Sequence, residues 1–429
     1  MLASLLVELS LLSLIVALLL GVRARWQPRW LETAWGTLLR PAADPERERL
    51  RPRRGSLGLV ALFVACFAAA ALLVWIVLRA RGMSAPTPLA TIDLFDRWDV
   101  GWYRAIATEG YGDRRFAFWP LFPLVTGLVG RLCAFPFHRA GTLVSAASLL
   151  VTAFGLSLYL RDRPRREAIA AALVLAFSPV FFVLLIAYSE SLFLMLSFFC
   201  LWFYARDKPV LSGCLGFLAA LCRYAGILLF AALVLAELAK PRGSRGRRSA
   251  VPLLLIPLGT LAFMAFCLVA SGDPLAMLSG QAEWGVKLLP SNLLRSLFHH
   301  DLWRMVTTNP IHAWTRDPPP GFFEYLLRLN LQVSLNRVAP FVVVPITAWM
   351  VYRTTSMPLS FRLYGLITAL FPLFTVPADY LRDTVIDFPL FLYVAEVLSS
   401  RPWALGLYVA AGGTCLAFYA WAFAAKVFP

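Results

Sequence analysis

The run DLFDRWDVGWYRAIATEGYGDRRFAFWPLFP, residues 93–123, decides how this chain is threaded. Its first dozen residues hold Asp93, Asp96, Asp99, Arg97 and Arg104 together with Phe95, Trp98, Trp102 and Tyr103, in a chain that is 60% hydrophobic. Charge at that density beside apolar spans asks for a functional reason. Read as one helix, Phe95, Trp98, Trp102 and Ile106 share a face while Asp96, Asp99 and Tyr103 lie off it. Such a helix fits the membrane interface, with its aromatics at headgroup level and its carboxylates just above the lipid. On pattern alone an aromatic-belt anchor with solvated charges is an equal reading. The residues just beyond, 116–133, are apolar enough to pass for a crossing. If they crossed, Arg161, Arg163, Arg165 and Arg166 would land outside, and Pro120, Pro123 and Pro136 also argue for a re-entrant or juxtamembrane helix. They are therefore read as non-spanning.

Composition leaves no soluble class open: over 429 residues charged side chains are 15% and the mean hydropathy is +0.71. The expected fold is an all-α polytopic membrane protein. A formal charge of +16 belongs in such a chain to its cytoplasmic loops rather than to nucleic acid. Lys supplies four of the forty basic residues, an Arg bias in keeping with a bacterial origin. The seven Cys lie mostly in apolar segments without a C-x-x-C pair and read as small core residues. The four His (His138, His299, His300 and His312) have no metal-binding spacing, so no metal ligand is assigned. No glycine-rich nucleotide motif occurs, which argues against a soluble nucleotide donor. The sequence calls for no cofactor and leaves a divalent metal open.

Taken in order, residues 2–20 can span, and Arg23, Arg25, Arg29 and the run 47–54 place the next loop inside and the N-terminus outside. Residues 57–78 return outward. Further crossings are expected at 140–160, 168–187, 191–205, 210–221, 225–238, 251–270, 338–352, 363–376, 385–398 and 403–425. The pair around Cys222-Arg223-Tyr224 turns at the outer side, because the basic run 240–249 must lie inside. This makes one integral membrane domain, 1–429, of about twelve helices, with a first outer loop at 81–139 holding juxtamembrane helices and the active site, and a long outer loop at 271–337. Asp96, Asp99, Tyr188, Ser189, Glu190, Arg223, Gln281, Trp284 and the run 380–387 then share the outer face.

Here the residues resemble a known family. RWDVGWY (97–103), IATEGY (106–111) and AFWPLFP (117–123) match the hallmark R-W-D-x-x-[WH]-[YF], I-A-x-x-G-Y and A-F-[FW]-P-x-x-P of the PIG-V-like mannosyltransferases, the family of GPI mannosyltransferase 2. AYSESLF (187–193), CRYAGIL (222–228), GDPLAMLSGQAEWG (272–285) and, more weakly, YLRDTVIDFPLF (380–391) follow in order. The resemblance implies a GT-C polytopic glycosyltransferase that takes a sugar from a polyprenyl- or dolichyl-phosphate carrier and keeps a catalytic acidic residue in the first outer loop. The matching position is Asp99. Two departures bear on the acceptor: Arg382-Asp383 stands where the family shows Arg-Tyr, and CRYAGIL replaces R-S-N-G.

The chemistry is coherent with those positions. A carboxylate can take the proton of an acceptor hydroxyl as it attacks the anomeric carbon, and a departing lipid phosphate needs cations. Asp99 is the expected base, with Asp96 and Glu190 as second choices. Arg223 and Arg382 are expected on the donor phosphate, and Arg97, Trp98, Tyr103, Tyr188, Gln281 and Trp284 on substrate. Structural readings stand beside these: Glu190 capping or pairing in the bundle, Arg223 snorkelling, Trp284 in the belt. The expected reaction is an inverting mannosyl transfer from a polyprenyl-phosphate sugar to a glycolipid or envelope glycan on the outer face of a bacterial plasma membrane. The alternative is a transporter or flippase for a lipid-linked saccharide, which would favour repeated halves and midplane charges. No internal repeat is evident, and the charges gather at one face.

Overall fold

A computed structural model describes residues 56–83, 86–87, 90–240, 250–283, 331–353, 356–374 and 380–425. The expected first span 2–20, the basic runs 23–54 and 241–249, Trp284 and His299, His300 and His312 lie outside the described residues. Regular structure in the described residues is helical. In order it comprises α1 (Ser56–Ala80), α2 (Thr91–Leu94), α3 (Asp99–Glu109), α4 (Leu121–Cys133), α5 (Phe137–Leu160), α6 (Arg165–Ala176), α7 (Glu190–Ala205) and α8 (Pro209–Cys222). It continues with α9 (Gly226–Ala239), α10 (Leu255–Ser271), α11 (Ala276–Glu283), α12 (Leu331–Arg353), α13 (Leu359–Leu370), α14 (Tyr380–Thr384), α15 (Phe388–Ser399) and α16 (Pro402–Ala424).

The expected all-helical bundle forms, and among the described residues its apolar helices fall into two lengths. Four helices are long and apolar enough to cross (Leu57–Ala80, Phe137–Leu160, Val251–Ser271 and Pro402–Ala424), and the other apolar helices are shorter. Proline accounts for several of the interruptions. The crossing expected at 168–187 stops as α6 at Ala176, since Pro179 cannot donate to a helix and disfavours helical backbone at Ser178. A 3₁₀ turn, Phe181–Leu184, follows. Pro372 ends α13 in the same way, in the turn Phe371–Phe374. Pro120 and Pro123 open α4, and a left-handed Ala134 closes it. At 13 residues α4 is about 20 Å long, well under the roughly 30 Å of a hydrocarbon core.

Irregular backbone at membrane depth must find its hydrogen bonds inside the protein. The break after α6 does so. Phe181, Val183, Leu184, Ile186 and Ala187 are buried. The Ser145 hydroxyl donates to the carbonyls of Ile186 (2.7 Å) and Tyr188 (3.2 Å), and Ser191 donates to Leu184 at 2.5 Å. Gly141 lets α5 come this close, because a Cβ there would sit 2.5 Å from that of Ala187. The break belongs to a core drawn from α1, α5 to α9, α13, α15 and α16. A smaller cluster, Phe116, Trp119, Phe263, Cys267, Ala276 and Met277, seats the 3₁₀ turn Asp113–Ala117 against α10 and α11.

The single interfacial helix expected across residues 95–106 does not form. Phe95 caps the one-turn α2, and α3 begins at Asp99. Between them Trp98 has φ 54° and ψ −121°, a backbone that bulky L-residues rarely adopt. The proposed aromatic face is therefore split: Phe95 and Ile106 are buried while Trp98 is exposed.

Candidate active site

Five charged side chains from four parts of the chain alternate in sign along one connected line. Asp99 Oδ2 accepts from Arg382 Nη2 at 2.5 Å, and Arg382 Nε donates to Glu190 Oε1 at 2.6 Å. The same Glu190 oxygen lies 2.8 Å from Arg223 Nη1, and Arg223 Nη2 lies 3.8 Å from Asp383 Oδ1. Burial falls from the middle outward. The Glu190 side chain is 0% exposed, whereas those of Asp99 and Asp383 are 22% and 20% exposed. The line thus opens at its two ends.

Local structure puts each charge there. Asp99 and Glu190 occupy the first turns of α3 and α7, where unpaired backbone N–H groups favour a carboxylate. Arg223 is the C-cap of α8, the end that favours a cation, and its extended backbone turns the chain towards α9. Gly226 makes that hairpin tight: a Cβ there would meet the Ala220 backbone at 2.4–2.5 Å. Both helices of the hairpin have 14 residues, about 21 Å, so its tip stops roughly 10 Å short of a full crossing. Arg382 comes from α14, held where Leu381 N–H donates to Asn336 Oδ1 at 2.9 Å.

Uncharged groups fix the two guanidiniums. Arg382 lies 4.5 Å over the Tyr188 ring, and Arg223 Nη1 donates to Ser189 Oγ at 2.9 Å. Ser189 Oγ also shares a 2.9 Å hydrogen bond with the Tyr103 hydroxyl. Burial pushes the Tyr103 phenol above its ordinary range, which keeps it a neutral partner. At the far end the Tyr224 hydroxyl donates to Asp383 at 3.0 Å, and burial raises the Asp383 carboxyl above the usual range.

Asp99, Glu190, Arg223 and Arg382 are thus brought together from their expected positions. Tyr103 and Tyr188 join them, buried at 4% and 1% exposure and packed against the charged groups. Asp96 stands apart, bonded to Arg104 at 2.7 Å and facing His138 at 3.4 Å. Arg97 is drawn off as well, donating to the Ala424 carbonyl at the end of α16. Gln281 braces the first loop by donating to Ala117 O at 2.8 Å. Sequence assigns no role to Ser189, Tyr224 and Asp383, although all three lie within the quoted motifs. Their signal was adjacency, to Glu190, Arg223 and Arg382 respectively. Among the described residues no group of three or more His, Cys, Asp or Glu side chains is placed to hold a metal ion.

A polar, alternately charged cluster at one end of an apolar helical bundle, with four helices long and apolar enough to cross a membrane, is the arrangement of an integral membrane protein. The likenesses in sequence narrow the class. The chain is 35% identical over 144 residues to GPI alpha-1,6-mannosyltransferase 2 of Mus musculus, covering 31% of this chain and 29% of that protein. It is 34% identical over 145 residues to the same enzyme of Rattus norvegicus, with the same coverage. The match therefore spans less than a third of the length of these curated relatives. These likenesses support the PIG-V-like resemblance. No family model matches the chain, and no solved structure matches it.

Proposed function

We propose that the protein is a membrane glycosyltransferase that moves a hexose, mannose by its likeness, from a polyprenyl-phosphate carrier to a glycolipid or envelope glycan. The observation that carries this reading is the joining of Asp99, inside the R-W-D motif, to Arg382 and through Glu190 to Arg223. The reaction needs one base and a cationic seat for a leaving phosphate, and the line supplies both. Asp99 takes the proton as the acceptor oxygen forms its bond to the anomeric carbon. The bond from that carbon to the phosphate oxygen breaks, its electrons pass to the phosphate, and Arg382 and Arg223 receive the charge. Attack opposite to departure inverts the anomeric centre. Glu190 holds both arginines and, being fully buried, does not meet the acceptor.

The site faces outward in this reading, the periplasmic side of a bacterial plasma membrane, because the opposite end carries the arginine-rich turns. A flippase is not favoured: the charges sit at one end, and both matched relatives are transferases. The test is transfer from polyprenyl-phosphate-mannose to a panel of envelope acceptors in proteoliposomes. Product that forms with the native chain and is lost with Asp99→Asn supports the reading; absence of transfer to every acceptor, with the carrier merely crossing the bilayer, sinks it.

A further inference from the structure

Three carboxylates and two guanidiniums leave the line one negative charge over. An arriving anion therefore finds both arginines already engaged: Arg382 by Glu190 and Asp99, Arg223 by Glu190, with Ser189 beside it and Asp383 next along. The middle and the ends differ in how they can respond. Glu190 is enclosed, and swinging it out would strand the buried Arg223 and leave Arg382 without its inner partner. Asp99 and Asp383 sit at the partly open ends, where water can take over their solvation. Each also presents to a guanidinium a carboxylate oxygen, the kind of acceptor that a phosphate offers. We propose that Asp99 and Asp383 are built-in stand-ins for the anion, so that a lipid-linked phosphate displaces Asp99 from Arg382 and in doing so frees the carboxylate for the acceptor hydroxyl. This rests on the phosphate-carrier reading above and adds an order to it, donor before acceptor.

A competitor that is removed leaves its seat stronger. Asp99→Asn and Asp383→Asn, each in the full-length protein in detergent, should bind polyprenyl monophosphate about three- to ten-fold more tightly than the native chain, the scale of one partly exposed ion pair. Asp162→Asn, whose carboxylate pairs with Arg161 at the opposite end of the bundle, should bind as the native chain does. The two stand-in variants cover one another against misfolding. Inorganic phosphate titrated in parallel separates the sources: tightening seen with it but not with the lipid phosphate overturns the proposal. Native or weaker affinity for polyprenyl phosphate in both variants overturns it too, and leaves the glycosyltransferase reading standing. No binding of polyprenyl phosphate by any form overturns this inference and the phosphate-carrier reading together.

Discussion

Both arginines of the site depend on Glu190. One of its oxygens serves Arg382 and Arg223 together, in a position without solvent. Glu190→Gln keeps the volume and removes the charge, so two guanidiniums are left partly uncompensated. Unfolding stability should fall by about 3–5 kcal/mol, the scale for breaking a buried pair, as a lowered thermal midpoint in detergent would register. Asp99→Asn should do the reverse: little change in stability, but a fall in transfer of about a hundred-fold or more, the range for a general base. Asp96→Asn should stay near native activity, because Asp96 is tied to Arg104 rather than Arg382; if Asp96→Asn is dead and Asp99→Asn active, the base has been misassigned. The charged members of the site were legible in sequence because a charge in an apolar setting stands out on its own. Depth was not legible. Tyr188 reads as a substrate contact until packing puts it beneath Arg382, and Asp383 reads as a mere neighbour of Arg382 until a turn of α14 aims it at Arg223.

Two elements hold the site at its height, and both are interruptions. The turn between α8 and α9 needs Gly226, and Gly226→Ala would force the Ala219–Ala220 backbone and the turn apart. We expect a loss of about 1–3 kcal/mol from overpacking and a fall in transfer, since Arg223 rides on that turn. Stability lost with transfer unchanged would remove Arg223 from the chemistry. The second is the clasp of α2 on the start of α5, where Asp93 accepts from Arg139 at 2.8 Å and lies 2.8 Å from His138. Arg139 first, and His138 after it, hold the Asp93 carboxyl down from its ordinary 3.8 to about 2. A depressed carboxylate adds stability that is complete above its unfolded value and is lost as pH falls through the folded one. The clasp should therefore loosen between about pH 4 and pH 2, by a small amount because the pair is exposed; Asp93→Asn should lack that step in an acid titration of stability. The hairpin was visible in sequence, since Arg223 splits two short apolar runs. The break after α6 is hidden in the sequence, although Ser178-Pro179 marks it, because the residues on both sides are apolar and one long span explains them as well. The reversal at Trp98 has no sequence signal, there being no glycine to announce a positive φ.

At the scale of the molecule, contacts sort the polar residues to two ends. One end holds the charge line, the Asp93 clasp and the brace from Gln281. The other holds Arg163, which donates to Glu167 at 2.7 Å and to Ser356 O at 2.6 Å, and the Glu237 pair with Lys240 and Tyr204. That second end carries the turn with Arg161, Arg163, Arg165 and Arg166, and the charge rule leads us to expect it on the cytoplasmic side. Single cysteines decide the matter. Thr108 and Arg166 are both exposed, at opposite ends, and can each be replaced by Cys in a chain whose partly or fully exposed Cys133, Cys214 and Cys415 have become Ala. In intact cells an impermeant thiol reagent should label Thr108→Cys and spare Arg166→Cys until the membrane is opened. The opposite pattern would turn the site towards the cytoplasm. The charge line would keep its geometry, but the carrier and the acceptor would both have to be cytoplasmic, and the arginine-rich end would have crossed against the charge rule that sets the threading of the whole chain.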